Sequence, residues 1–131
     1  MKEDVIKYYM NGYSCSESIV KYAIEKGLCP EDLLSCATPF SAGMSSGCLC
    51  GAVAGAQLVL GYLFGRGNKL SNEVCARAKA KELVEEFKKR NKVTCCKALT
   101  AGLEGMQRKE HCCKMVSDAA EILDELAGVK V

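Results

Sequence analysis

The sequence contains no tryptophan, two prolines and a single histidine, His111. Few aromatics and few prolines lean away from a β-sandwich. One histidine limits acid–base chemistry, and neither a Ser/His/Asp set nor paired carboxylates on an apolar helical face can be found. No block of one charge occurs either: Lys/Arg and Asp/Glu are interspersed and the net charge is +2, so nothing points to a nucleic-acid surface. The Cys-x-x-Cys spacing of zinc fingers and ferredoxins is missing. The longest apolar stretch, about residues 48 to 65, sits at the lower length limit for crossing a bilayer and contains Gln57 and four glycines. It reads as a buried core helix, and no membrane insertion is expected.

Helical patterning fills the rest of the 131 residues, which read as a single all-α domain over 1–131. Its expected architecture is a bundle of about five to six helices around the central glycine- and alanine-rich one. Residues 2 to about 11 put Val5, Ile6 and Tyr9 on one face, and Asn11-Gly12 stops the helix. Ser14 with Glu17 three positions on is a capping box for a second helix to about Lys26. Pro30 to Cys36 is a short helix that Thr38-Pro39 breaks, because the residue before proline avoids helical geometry. The central helix follows over about 48 to 65, with Gly51 and Gly55 on one face so that a neighbouring backbone can approach. Ser71 caps a long helix to about Asn91, with Glu85–Lys89 and Glu86–Arg90 as solvated pairs. Thr94 caps a short helix, Thr100 to Arg108 is a loop, and the last helix runs from about Lys109 to Ala127.

Against these absences stands an excess. Ten cysteines in a helical chain of this size need a reason. The start Met1-Lys2-Glu3-Asp4-Val5 shows no apolar signal region and no cleavage site, so a cytoplasmic protein is expected. In that compartment clustered cysteines bind metal or do redox chemistry more often than they form structural disulfides. Cys15, Cys48/Cys50, Cys95/Cys96 and Cys112/Cys113 all fall at or near expected helix starts, where unpaired N–H groups and the helix dipole favour thiolate. If the helices pack around the central one, those thiols can converge. Converging thiolates suit a soft metal or an iron–sulfur cluster, and equally a dithiol–disulfide centre. Cys29, Cys36 and Cys75 lie elsewhere and read as small packing residues. His111, one position from Cys112, is expected to face solvent.

The run Gly47-Cys48-Leu49-Cys50-Gly51-Ala52-Val53-Ala54-Gly55-Ala56 resembles the family of redox-active proteins named for its C–GCAxxG–C–C pattern. Gly12-Tyr13-Ser14-Cys15-Ser16 resembles that family's N-terminal segment, Cys96-Lys97-Ala98-Leu99 its C-x-x-L element, and Cys112 to Leu123 its closing segment. The resemblance spans essentially the whole chain. It implies four functional cysteines, which fall here on Cys15, Cys50, Cys96 and Cys112. This chain departs from the pattern by placing Cys48, Cys95 and Cys113 beside three of them. The extra thiols would suit a larger cluster, a second metal, or disulfide resolution.

The sequence therefore leads to a redox-active protein with a cysteine-ligated centre, an iron–sulfur cluster before zinc. Cys15, Cys50, Cys96 and Cys112 are its core and Cys48, Cys95 and Cys113 are further metal or cofactor ligands. A metal-free thiol–disulfide oxidoreductase and a zinc-binding structural module are the alternatives. An unidentified redox partner protein is expected, and the exposed faces of the glycine-rich helix leave room for a homo-oligomer.

Overall fold

A computed structural model describes residues 2–66 and 74–128. Ser71, the expected cap of the long helix, lies outside them. Seven α-helices are present among the described residues: α1 Lys2–Met10, α2 Cys15–Glu25, α3 Asp32–Ala37, α4 Gly51–Phe64, α5 Val74–Asn91, α6 Cys96–Leu99 and α7 Gly105–Ala127. The all-α expectation holds. The count exceeds five to six because two elements are very short: α3 has six residues and α6 four.

The centre is α4, whose first turns are made almost wholly of small residues. Gly51 to Ala56, Val59 and Leu60 are all buried, and α2, α5 and α7 lie against it. The approach of α2 depends on two missing side chains. A Cβ at Gly55 would lie 2.7 Å from the Ser16 carbonyl oxygen and 3.1 Å from its Cα. At Gly51 it would collide with Cys15 Sγ and stand 3.0 Å from the Phe40 carbonyl oxygen. Glycine thus lets the N-terminal turn of α2, with Cys15 on it, press onto the start of α4. Among the described residues no helix is long and apolar enough to cross a membrane.

Local signals fix the rest. Ser14 accepts from the Glu17 amide while the Glu17 carboxylate accepts from the Ser14 amide, the expected capping box. Glu17 also accepts from Thr38 Oγ1 at 2.7 Å, joining the head of α2 to the 3₁₀ turn Thr38–Phe40. The expected ion pairs on α5 differ. Glu86 pairs with Lys89 at 2.9 Å and Glu85 with Lys81, which frees Arg90 to reach Asp118 of α7 at 3.4 Å. Lys114 and Asn91 close on the same carboxylate, so a polar clamp joins α5 to α7 beside their apolar contact.

Two boundaries depart from the sequence reading, and both bear on the cysteines. First, α7 begins at Gly105 rather than Lys109, because Glu104 is extended (φ −140°, ψ 158°) and the chain turns helical directly after it. Arg108 becomes a helical residue and Cys112 moves to the second turn. Second, α4 begins at Gly51, not near Cys48. Ahead of it the chain makes a widened helical turn over Gly43–Gly47, with Ala42, Met44 and Ser45 at positive φ. Such conformations cost energy for residues with a side chain. Ser45 Oγ donates to the Pro39 carbonyl at 3.0 Å and the Cys48 amide to the Gly43 carbonyl at 2.8 Å, which hold the turn closed. After it, Leu49 forms an isolated antiparallel bridge with Cys95. Thr94 does not cap α6; its carbonyl instead accepts from the Cys50 amide at 2.7 Å, and Cys95 takes the cap position.

Candidate functional site

Four elements bring one cysteine each to a single cavity of about 310 Å³. Cys15 comes from the first residue of α2, Cys50 from the residue before α4, Cys96 from the start of α6 and Cys112 from the second turn of α7. The wall also contains Tyr9, Ser41, Arg108 and Lys109, with Leu99 and Met115 at one side. It holds two cationic side chains and no carboxylate.

Each of the four sulfurs has donor groups near it. Amides of Ala42 and Ser16 favour a thiolate at Cys15, and amides of Ala52 and Val53, the free N–H groups of α4's first turn, favour one at Cys50. The Arg108 guanidinium donates to Cys96 Sγ at 3.7 Å. The Tyr9 hydroxyl lies beside Cys112 and favours its thiolate, and Lys109 Nζ stands 4.2 Å from the centre of the same tyrosine ring. A ring of donors around four sulfurs is an environment built for sulfur carrying negative charge.

In the protein as it stands, burial outweighs those donors. It pushes the Cys50 thiol up to about 12 although the α4 amides pull the other way. The expectation that helix geometry would leave Cys50 a ready thiolate is therefore corrected: the helix terminus acts as foreseen, but removal from water costs the anion more. Burial raises Cys15 and Cys112 too, against the Ala42 and Ser16 amides in one case and Tyr9 and Arg108 in the other. Tyr9 itself is raised, by burial and then by the neighbouring Cys112 and Cys15.

The three additional cysteines do not line this cavity. Cys48 and Cys95 are exposed, on the outer side of the bridge. Cys113 is half-buried and its thiol faces Met10 Sδ at 3.7 Å, between α1 and α7. Of the cysteines read as packing residues, Cys29 is buried but Cys36 and Cys75 are exposed. His111 is half-buried and lines a separate groove on the far side of Leu99 and Met115. Among the described residues no three His, Cys, Asp or Glu side chains are gathered closely enough to hold a metal ion. Sequence reasoning missed Arg108, placed in a loop, and Tyr9, seen only as part of a core stripe. A sequence signal existed for Tyr9, since its helix precedes the Cys15 segment, but none distinguished it from packing.

The fold and the cavity define an all-helical protein that gathers four thiols from separate elements around one solvent-reaching space. The family model described as "Putative redox-active protein (C_GCAxxG_C_C)" matches residues 13–126, and the chain belongs to that family. No curated protein and no solved structure matches the chain.

Proposed function

We propose that the four-cysteine cavity houses a redox centre of iron–sulfur type, through which the protein transfers electrons or senses redox poise. The observation that carries this reading is the meeting of Cys15, Cys50, Cys96 and Cys112 on one cavity of about 310 Å³, each sulfur with donor groups near it. The donor set fits the group: four thiolates are the common ligation of both two-iron and four-iron clusters. Among the described residues no three of these thiols already meet at one point, so binding would draw them together. Bound there, the cluster supplies reversible one-electron chemistry.

The chain's own residues do the remainder. Cys15, Cys50, Cys96 and Cys112 would ligate and lose their protons on binding. Arg108 and Lys109 offset the negative charge of the thiolates, and the amides of Ala42, Ala52 and Val53 together with Tyr9 hold the sulfurs in place. Leu99 and Met115 keep one wall dry. Serine substitution at any of the four cavity cysteines is expected to remove most of the bound iron and sulfide, whereas substitution of Cys36 leaves both in place. Retention of full iron and sulfide in all four variants would overturn the reading.

A second reading rests on a different observation. All ten cysteines are free thiols here, and the sulfurs of Cys15 and Cys50 are close enough to influence each other electrostatically. Reversible disulfide formation within the cavity would need no metal. It predicts colourless protein whose free-thiol number follows the ambient redox potential.

A further inference from the structure

The bridge between Leu49 and Cys95 carries four cysteines, and only two of them face the cavity. The Cys96 amide donates to the Cys48 carbonyl at 2.5 Å and the Cys50 amide to the Thr94 carbonyl at 2.7 Å, so the two segments are clamped side by side. Cys50 and Cys96 turn inward and are buried, while Cys48 and Cys95 are exposed. In a regular strand Cys48 would share a face with Cys50. Its backbone, at φ −88° and ψ −121°, leaves strand geometry and carries the thiol to the surface.

There the two outer thiols rest on the carbonyls of consecutive residues. Cys48 Sγ approaches the Ser46 carbonyl oxygen at 3.9 Å, and Cys95 Sγ donates to that of Gly47 at 3.4 Å. Residues facing across an antiparallel bridge have Cα atoms about 4.5–5.5 Å apart. The Cys48 carbonyl accepts from the amide directly after Cys95, so the backbones of the two cysteines lie side by side at the bridge, as a disulfide with Cα atoms about 4.4–6.8 Å apart requires.

We propose that Cys48 and Cys95 form a second, outward-facing dithiol site that exchanges with low-molecular-weight disulfides. In the first step one thiolate attacks a sulfur of the external disulfide; that S–S bond breaks and one external thiol leaves with a proton. In the second, the other cysteine attacks the protein sulfur of the mixed disulfide and releases the second external thiol with its proton. Two protein thiols are oxidised to one Cys48–Cys95 disulfide and one external disulfide is reduced to two thiols. The new bond ties the loop carrying Ser41 and Ala42, part of the cavity wall, to the segment carrying Cys96. Oxidation of the outer pair therefore stiffens the mouth of the inner site.

Fully reduced protein is treated with oxidised glutathione, quenched in acid and mapped by mass spectrometry that separates Cys48 from Cys50 and Cys95 from Cys96. The expected product is a Cys48–Cys95 link. In Cys48→Ser, Cys95 accumulates instead as its glutathione mixed disulfide, and Cys95→Ser gives the reciprocal result; unchanged far-UV circular dichroism shows that both variants fold. Links from Cys48 or Cys95 to Cys50 or Cys96 would overturn the proposal. So would both outer thiols capped separately by glutathione with no link between them. The outcome is independent of the cavity reading, since protein without iron or sulfide is expected to form the same link.

Discussion

Arg108, on the first turn of α7, donates to the sulfur of Cys96, on the first residue of α6, across 3.7 Å. Among the described residues no other sulfur contact of the cavity brings a formal charge so close, and Arg108 is exposed, so it is placed to tune the proposed centre. Positive charge and a hydrogen bond at a ligand sulfur favour the more negative, reduced state. Arg108→Gln is expected to lower the reduction potential by on the order of tens of millivolts, because water screens an exposed guanidinium. Arg108→Lys should recover part of the shift. A potentiometric titration followed by the visible spectrum reads both, and an unchanged potential in Arg108→Gln contradicts the assignment.

The close approach of α2 to α4 makes a graded prediction with one substitution type. Gly51→Ala pushes a methyl group into Cys15 Sγ and the Phe40–Ser41 backbone, and should cost about 1–3 kcal/mol and weaken retention of the centre. Gly55→Ala meets the Ser16 backbone and should cost a similar amount while leaving the sulfurs in place. Gly61→Ala, on the same helix with nothing within 4 Å, should stabilise by about 0.5–1 kcal/mol. Chemical denaturation of the three variants checks the order.

The raised thiols set a pH dependence for the metal-free protein. A group whose folded value lies above its unfolded one contributes stability below the unfolded value and loses it as pH rises through the folded one. Cys50 moves from an ordinary 9.0 to about 12, and Cys15 and Cys112 move in the same direction. Stability should therefore fall as pH climbs from about 9 towards 12. The same burial predicts that iodoacetamide at pH 8 modifies exposed Cys36, Cys48, Cys75 and Cys95 well before Cys50. Equal labelling of Cys50 in folded protein counts against the buried cavity.

A second pH effect comes from Asp124, buried between α7 and α2. Tyr22 Oη donates to its Oδ2 at 2.6 Å, and its Oδ1 has no partner among the described residues. Burial raises this carboxyl despite Tyr22 and Lys26. By the same sign rule, its contribution is greatest when protonated and is lost as pH rises above the ordinary carboxylate range. Asp124→Asn keeps an acceptor for Tyr22 and removes the buried charge. It should gain on the order of 1 kcal/mol at neutral pH and abolish the loss of stability that Asp124 causes as pH rises from the acid range.

Much of this arrangement was legible in the chain. The capping box at Ser14 and Glu17 placed Cys15 on the first residue of α2, and the Gly51/Gly55 spacing announced a close backbone contact. The resemblance placed Cys112 among the four site cysteines, and it lines the cavity. What was not legible has physical causes. The turn Gly43–Gly47 depends on left-handed Ala42, Met44 and Ser45, a conformation that no local propensity of those residues signals. The Leu49–Cys95 bridge joins segments far apart in sequence and turns Cys48 and Cys95 outward where spacing alone had them beside Cys50 and Cys96. Arg108 was hidden because α7 starts without a side-chain cap, so its first turn looked like loop. The thiol ionisation was misjudged at Cys50 since a sequence shows a helix start but not how deeply it is buried.

Whether Cys15, Cys50, Cys96 and Cys112 hold the proposed redox centre is decided by the iron, zinc and acid-labile sulfide content of protein purified without oxygen, taken with its visible spectrum. Iron and sulfide in comparable amounts, with broad visible absorption that bleaches on reduction, are expected. Colourless protein with no iron or sulfide, or with zinc alone, would contradict the proposed centre.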